Sequence, residues 1–442
     1  MNEAETRAEH IDPALQRAGW GVVDGSRVLR EHGITLGRLQ GGGGKGGRGA
    51  RAKAEVADTD AVSFAPMEDL GIGVKYLQPH RTRPLAEVSG SYTYFADGDV
   101  LLAKITPCFE NGKLSVARGL MNGVGFGSSE YIVLRPAPTL DAEFLYYYLA
   151  RPTFLEEGAR TMTGAVGHKR VTKEFVESYP IPLPPVTVQR RIVAILDEAF
   201  EGVATAKANA EKNLQSTREL IRTGYQAIVG SFDQSPWSKA HVDELVAASK
   251  GSMRTGPFGS QLLHSEFVDD GIAVLGIDNA VANEFRWDKR RYITEAKYRD
   301  LTRYRVHPGD VLITIMGTCG RCAVVPDDIP LAINTKHLCC ISLDRKKCLP
   351  DYLHLYFLHD PLARAYLTAQ AKGSIMAGLN MGIISALPVR LPPLDQQAGI
   401  VERFDSLQAE CDRQADIQTR KLAALDELKR SLLHQAFSGG LS

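Results

Sequence analysis

The sequence predicts an α+β protein built twice: two α+β heads, each followed by a long helix, with the two helices packing as an antiparallel coiled-coil spacer. Three observations carry this. A proline box recurs in both halves in constant register, Pro182-Leu183-Pro184-Pro185 running into Gln189, Ile192 and Asp197, and Leu391-Pro392-Pro393 running into Gln397, Ile400 and Asp405. Ahead of each box lie short β-branched and aromatic runs broken by Gly and Asn, which is strand punctuation. Behind each box comes a long stretch with helical apolar spacing.

Five segments follow in order. Residues 1–55 form a leader with helical spacing at Ala8, Ile11, Leu15 and Ala18. It ends in Gly41-Gly42-Gly43-Gly44-Lys45-Gly46-Gly47-Arg48-Gly49, which offers no side chains for a core, so the leader is expected to be mobile and inactive. A phosphate-binding loop fails there because Gly46 stands where a Ser or Thr is needed and no apolar strand precedes it. Residues 56–185 form a first head, with strands at Asp99-Val100-Leu101-Leu102-Ala103-Lys104-Ile105 and Ser129-Glu130-Tyr131-Ile132-Val133-Leu134, a helix over 142–149, and a strongly twisted or barrel-like sheet. Residues 186–235 hold the central helix. Residues 236–392 repeat the head: Pro308-Gly309-Asp310-Val311-Leu312-Ile313 matches Asp97-Gly98-Asp99-Val100-Leu101-Leu102, and a helix over 350–357 matches the one near Ala142. This copy is longer at its front, since residues 237–271 have no counterpart in the first half, where the glycine-rich leader stands instead. Residues 393–442 hold the distal helix.

The helices have a seam each. Ile192, Leu196, Ala199, Val203, Ala206 and Ala210 step by four and three, as do Ile400, Phe404, Leu407 and Cys411, and Leu425, Leu428 and Leu432 resume the pattern. At ~1.5 Å per residue each helix would run roughly 65 Å, near two turns of B-form DNA at ~34 Å per turn. A dimerisation arm would need the same seam. The position of each helix directly after a head favours a ruler between two heads.

Composition narrows the function. The chain has 52 basic and 52 acidic residues, which argues against a polycation that coats nucleic acid by charge alone. No apolar run approaches the ~20 residues of a membrane span. The polar start, Met1-Asn2-Glu3-Ala4-Glu5, is no secretory signal, and seven cysteines suit a reducing cytoplasm better than a disulfide framework. No hydrolase elbow, zinc-protease helix, nucleotide loop or methyltransferase base-holding segment is present. Cys319-Gly320-Arg321-Cys322 with Cys339-Cys340 and Cys348 has poor zinc spacing, and these cysteines read better as core residues of buried strands.

A duplicated head followed by Leu-Pro-Pro, Gln189 or Gln397 and a long helix, with Gly-Asp-Val strands in order, resembles the specificity subunit of type I restriction-modification systems over roughly residues 60–442. The resemblance implies that the heads are target recognition domains, each reading half of a split double-stranded DNA site, and that the helices fix the distance between the halves. It implies a non-catalytic subunit in a cytoplasmic complex with two methyltransferase subunits and with restriction subunits. S-adenosylmethionine, ATP and Mg are then expected only in those partners, with no cofactor or metal in this chain.

Candidate DNA contacts are polar and basic residues of Gly-bearing loops: Lys113, Thr163, His168, Lys169 and Arg170 in the first head, and Ser252, Arg254, Ser260, Lys372, Ser374 and Asn380 in the second. Gln189, Ile192, Leu196 and Val203, with Gln397, Ile400, Phe404 and Leu407, are the candidates for partner docking and the spacer helices. The leader, with Ile11-Asp12-Pro13-Ala14-Leu15, Gly19-Trp20 and Ile34-Thr35-Leu36-Gly37-Arg38, resembles the opening of the restriction subunit of the same systems. It lacks the carboxylates that nuclease would use, because Lys53-Ala54-Glu55-Val56 passes straight into the first head. On this reading the join displaces the front strands of the first head. A fused nuclease and a scaffold that gathers subunits without reading bases are the alternatives.

Overall fold

Both heads are layered from two small sheets and a two-stranded ribbon. In the computed structural model, which describes residues 35–38, 56–165, 167–287, 289–372 and 378–438, the first head runs β1 (Thr35–Arg38), β2 (Ala61–Ala65), β3 (Arg81–Pro84), α1 (Leu85–Val88), β4 (Thr93–Ala96), β5 (Val100–Ala103), β6 (Leu114–Val116), β7 (Val124–Gly127), β8 (Tyr131–Leu134), α2 (Ala142–Leu149), α3 (Pro152–Arg160), α4 (Lys173–Ser178) and β9 (Pro180–Leu183), then enters α5 (Val186–Gly230). The second head runs β10 (Ser238–His241), β11 (Met253–Thr255), β12 (Ile272–Leu275), β13 (Tyr292–Ile293), α6 (Glu295–Leu301), β14 (Arg305–Val306), β15 (Val311–Thr314), β16 (Cys322–Val324), β17 (Ala332–Asn334), β18 (Leu338–Ile341), α7 (Pro350–His359), α8 (Pro361–Lys372), α9 (Met381–Ser385) and β19 (Pro388–Leu391), then enters α10 (Leu394–Phe437).

Sheet order proves the repeat. The first head has sheets ordered β3-β2-β7-β4 and β6-β5-β8, the second β13-β12-β17-β14 and β11-β18-β15-β16, and the parallel pair β2·β7 recurs as β12·β17. Central strands are buried on both faces, so alternate residues serve different cores. Val100 and Leu102 face α2 while Leu101 and Ala103 face the second sheet. In the second head Cys339 and Ile341 join one core and Leu338 and Cys340 the other. Adjacent strand positions thus turn the two neighbouring cysteines apart. Burial pushes the Cys339 thiol up to about 12 and raises the thiols of Cys322 and Cys340 as well, which keeps them protonated and apolar in role.

The front of the first head differs from expectation. Thr35–Arg38, assigned to the leader, pairs antiparallel with Pro180–Leu183 in the way Ser238–His241 pairs with Pro388–Leu391. The proline strand needs a partner for its carbonyls, and backbone pairing does not demand similar side chains. Most of the presumed displaced front is therefore present: β1 matches β10 and β2 matches β12. Among the described residues only β11 lacks a counterpart.

The chain divides into two compact units, Met1–Ala210 with Arg420–Ser442, and Glu211–Thr419. In the first unit the core of the first head takes in Ile192, Val193 and Leu196 of α5 and Leu433 and Ala436 of α10. Phe437 meets the rings of Phe144 and Tyr148 at 5.1 and 5.2 Å, and Lys207 pairs with Asp426 at 2.7 Å. In the second unit Tyr225 and Val229 pack with Ile400 and Phe404 against the second head, Ser231 accepts from Arg403 at 2.9 Å, and Leu407 lies against Gly224. Rising numbers on one helix meet falling numbers on the other, so in each unit the segments pair antiparallel. Among the described residues no helix is long and apolar enough to cross a membrane.

Candidate nucleic-acid interface

Strand direction places the polar loops of each head at one end of its sheet. β5 and β8 run antiparallel, so the loop leaving β5, residues 104–113, and the loop entering β8, residues 128–130, emerge together. The loop between α3 and α4 joins them through backbone bonds: Thr106 N–H donates to the Lys169 carbonyl and Val171 N–H to the Lys104 carbonyl, both at 2.9 Å. The second head repeats this. The Ile315 N–H donates to the His337 carbonyl, the Leu379 N–H to the Ile315 carbonyl and the Gly256 N–H to the Thr335 carbonyl. Three or four loops tied at their roots by main chain form a surface that packing holds rigid and that side chains can vary freely.

The structure gathers most first-head candidates here. Thr163 and Arg170 form a backbone bridge, and Thr163, His168, Lys169 and Arg170 are all exposed. Arg170 clamps both oxygens of Glu130 at 2.9 and 2.8 Å. The guanidinium holds the Glu130 carboxyl below its usual range and is itself raised by that carboxylate. The side chains of His168 and Lys169 form no hydrogen bond or ion pair among the described residues and face solvent. Lys113 is instead an anchor, since its ammonium donates to the Met67 carbonyl at 2.8 Å.

The second-head candidates divide. Ser260 sits on the exposed turn after Gly259, and Asn380 caps α9 by accepting the Ile383 N–H at 2.9 Å. Lys372 ends α8, and Ser374 lies outside the described residues. Ser252 and Arg254 are at the opposite end of β11 and are buried. The Arg254 guanidinium donates to the carbonyls of Arg305 and Gly251, the Ser342 hydroxyl and the Asp310 carboxylate, leaving no N–H in the geometry of a DNA contact. Its position between Gly-bearing turns suggested a solvated loop, but it belongs to a strand.

That buried pair exposes an exchange between the heads. By register Val100 matches Val311 and Leu134 matches Ile341, so Asp99 matches Asp310 and Arg135 occupies the place of Ser342. Asp310 takes its guanidinium from β11. Asp99, with no β11 beside it, takes one from Arg135 at 2.7 and 2.6 Å. The turn before each aspartate needs a left-handed residue, supplied by Gly98 (φ +88°) and Gly309 (φ +76°).

The docking candidates are interior. Gln189 is fully buried, with its carbonyl accepting from Asp141 N–H at 2.8 Å and its amide nitrogen donating to Thr139 and Pro184 carbonyls at 2.9 and 2.7 Å. Gln397 does the same with Leu349, Lys347 and Pro392 at 2.8, 2.9 and 2.8 Å. Ile192, Leu196, Val203, Ile400 and Phe404 are buried and Leu407 half-buried. These residues fasten each helix to its head and to its neighbouring helix, so a partner subunit would meet other residues. Asp197 is drawn into a cluster in which the Lys75 ammonium reaches Asp197 at 2.6 Å and Glu143 at 2.8 Å. Burial opposes the charge on Lys75, yet those two acceptors outweigh it and raise its pKa. Among the described residues no lysine reaches the matched Asp405, and burial together with Asp351 pushes its carboxyl up.

Sequence reasoning missed Lys104 and Thr106 in the first head and Arg321, Lys336 and His337 in the second, all at the loop end of the sheet. The available signal was their place directly after β5 or around β15 and β18, the strands whose match was already visible.

A family model described as the type I restriction modification DNA specificity domain matches residues 77–214 and again 289–425. The type I restriction enzyme EcoEI specificity subunit of Escherichia coli is 38% identical over 173 residues, 39% of this chain and 29% of that one, and the EcoAI subunit of the same species is 34% identical over the same shares. The EcoBI specificity subunit is 24% identical over 322 residues, 67% of this chain and 65% of that one. The chain thus spans less than a third of the first two relatives. A chain from a structure of complex assembly and conformational transition of the type I R-M system superposes with a TM-score of 0.71 at 17% identity, covering 92% of this chain and 96% of its own. The HsdS subunit from Thermoanaerobacter tengcongensis gives 0.58 at 17% identity, covering 92% and 95%. At these identities the likeness is one of fold. With two matches that together take up more than half of its length, each spanning most of one head and most of the helix that follows, the chain belongs to the type I restriction modification DNA specificity domain family.

Proposed function

We propose that this chain is the non-catalytic DNA-recognition subunit of a type I restriction-modification complex and reads a bipartite double-stranded target, one half with each head. The observation that carries this is the pair of equivalent loop ends, built by the same strands in the same order. Phosphate contacts from residues such as Lys169 and Lys336 position each head, and shorter polar side chains read base edges in the major groove. Methyltransferase and restriction subunits are the partners, and S-adenosylmethionine, ATP and Mg act in them. The complex works in the cytoplasm.

Both heads are assigned a reading role because β1 completes the first ribbon and Arg135 completes the first buried ion pair. Mapping of methylated adenines in cells that carry the partner subunits tests this. A split motif is the expected result. A motif with one half only would mean that the first head does not read, and no motif would leave a scaffold. Magnesium-dependent cleavage by the chain alone would contradict its non-catalytic role.

A further inference from the structure

At the end of the second head's sheet opposite the reading loops lies a recess of about 410 Å³. Its floor is the buried Arg254–Asp310 pair, joined at 2.6 Å. Asp310 is the one carboxylate lining the recess, while its rim carries Lys250, Arg303, Arg305 and Arg345 together with His307. Among the described residues no carboxylate pairs with these rim cations. The side chains of Lys250, Arg305 and His307 have no hydrogen bond or ion pair among the described residues. Arg303 lies over the Tyr304 ring at 4.7 Å, and Arg345 gives one N–H to the Pro308 carbonyl at 2.8 Å while crossing Gly309 where a side chain would collide.

The repeat supplies an internal comparison. The corresponding recess of the first head, about 300 Å³, is lined by Asp97, Asp99 and Asp141 against Arg135 and Arg190. There Arg135 is taken by Asp99 and Arg190 stands 3.5 Å from Asp141. The surplus of positive charge is therefore a property of the second head and not of the fold.

We propose that this recess is a phosphate-binding site. Like charges facing one concavity repel each other, and an entering dianion turns that repulsion into attraction. Guanidinium forks fit tetrahedral oxyanions well, and a recess of this volume admits one or two phosphate groups. The phosphate comes from the backbone of duplex DNA flanking the half-site or from a free phosphate compound. The DNA source rests on the reading role proposed above, whereas the site itself does not.

The test uses the full chain and pyrophosphate as probe, followed by calorimetric titration at low ionic strength. Lys250→Gln with Arg305→Gln removes two side chains that hold nothing in the protein, so the unfolding transition should stay in place. Arg190→Gln in the first head is the control. One saturable site that loses at least about tenfold affinity in the double variant, and none in the control, is expected from two lost charge-assisted contacts. Absence of saturable binding, or equal binding by the double variant, would overturn the site. Duplexes carrying the mapped target with and without a flank then separate the sources. If flanking DNA is the ligand, the double variant's salt slope falls by about two on the flanked duplex alone, and pyrophosphate competes with that duplex. If a free phosphate compound is the ligand, the slopes are unchanged and pyrophosphate binding persists beside DNA. Should the chain fail to bind its target, the pyrophosphate titration still reports on the recess.

Discussion

Arg135→Ser should loosen the first head and leave the second untouched. Asp99 is 1% exposed, and among the described residues its carboxylate accepts, besides two N–H groups of Arg135, only the Ala96 N–H, at 2.9 Å. Stripping the partner from a fully buried carboxylate costs about 3–5 kcal/mol. The Arg135 side chain is 39% exposed, so water enters once it is shortened and the loss shrinks to about 2–3 kcal/mol. That corresponds to a roughly 30- to 150-fold drop in protection, read by amide hydrogen exchange at β5 and β8. Adding Asp99→Asn removes the stranded charge and should restore about half of the loss. Strands β15 and β18 serve as the control within the same molecule. Protection at β5 and β8 that changes by less than a factor of about three would refute the claim that Arg135 stands in for the missing strand.

Three more outcomes are expected. Gln189→Ala and Gln397→Ala each orphan one N–H and two carbonyls in buried surroundings and should each cost about 2–4 kcal/mol, in matching amounts, by exchange at the start of α5 and α10. His359, wedged between the rings of Tyr225 and Phe404, is lowered to about 4, first by burial and then by His354 and Arg364. Its folded pKa lies below the unfolded value, so its stability contribution is full above pH ~6.5 and falls by up to roughly 3 kcal/mol as pH drops toward 4; His359→Gln should make the second unit's unfolding curve shallower in this window, leaving the part that the buried His354 contributes. Inserting one heptad between Ala210 and Glu211 and another between Thr419 and Arg420 should lengthen the spacer of the methylated motif and leave its halves alone, as sequencing of methylated sites would reveal.

The repeat was legible because its markers are interior residues. Gln189, Gln397 and the seam residues Ile192, Leu196, Val203, Ile400 and Phe404 are buried, and burial ties a residue to its type. The buried character of Cys339 and Cys340 could be read for the same reason, from their place in an apolar strand. Arg254 could not, because its acceptors Arg305, Asp310 and Ser342 lie 51, 56 and 88 positions away. No local pattern distinguishes a solvated arginine from one awaiting distant partners. β1 was hidden for another reason: Thr35-Leu36-Gly37-Arg38 and Ser238-Lys239-Ala240-His241 share a backbone role and almost no side-chain character. The loops at these sheet ends are polar, so only their roots, set by β5, β8, β15 and β18, could be located in advance.

The first head's core contains Leu433, Ala436 and Phe437, the last turns of α10. A ribosome adding about 5–20 residues per second emits that head early and these residues, about 250 positions later, on the order of twelve to fifty seconds afterwards. For that interval Phe144, Tyr148 and Leu196 wait with an apolar face uncovered, so the half of the molecule that is made first is finished last.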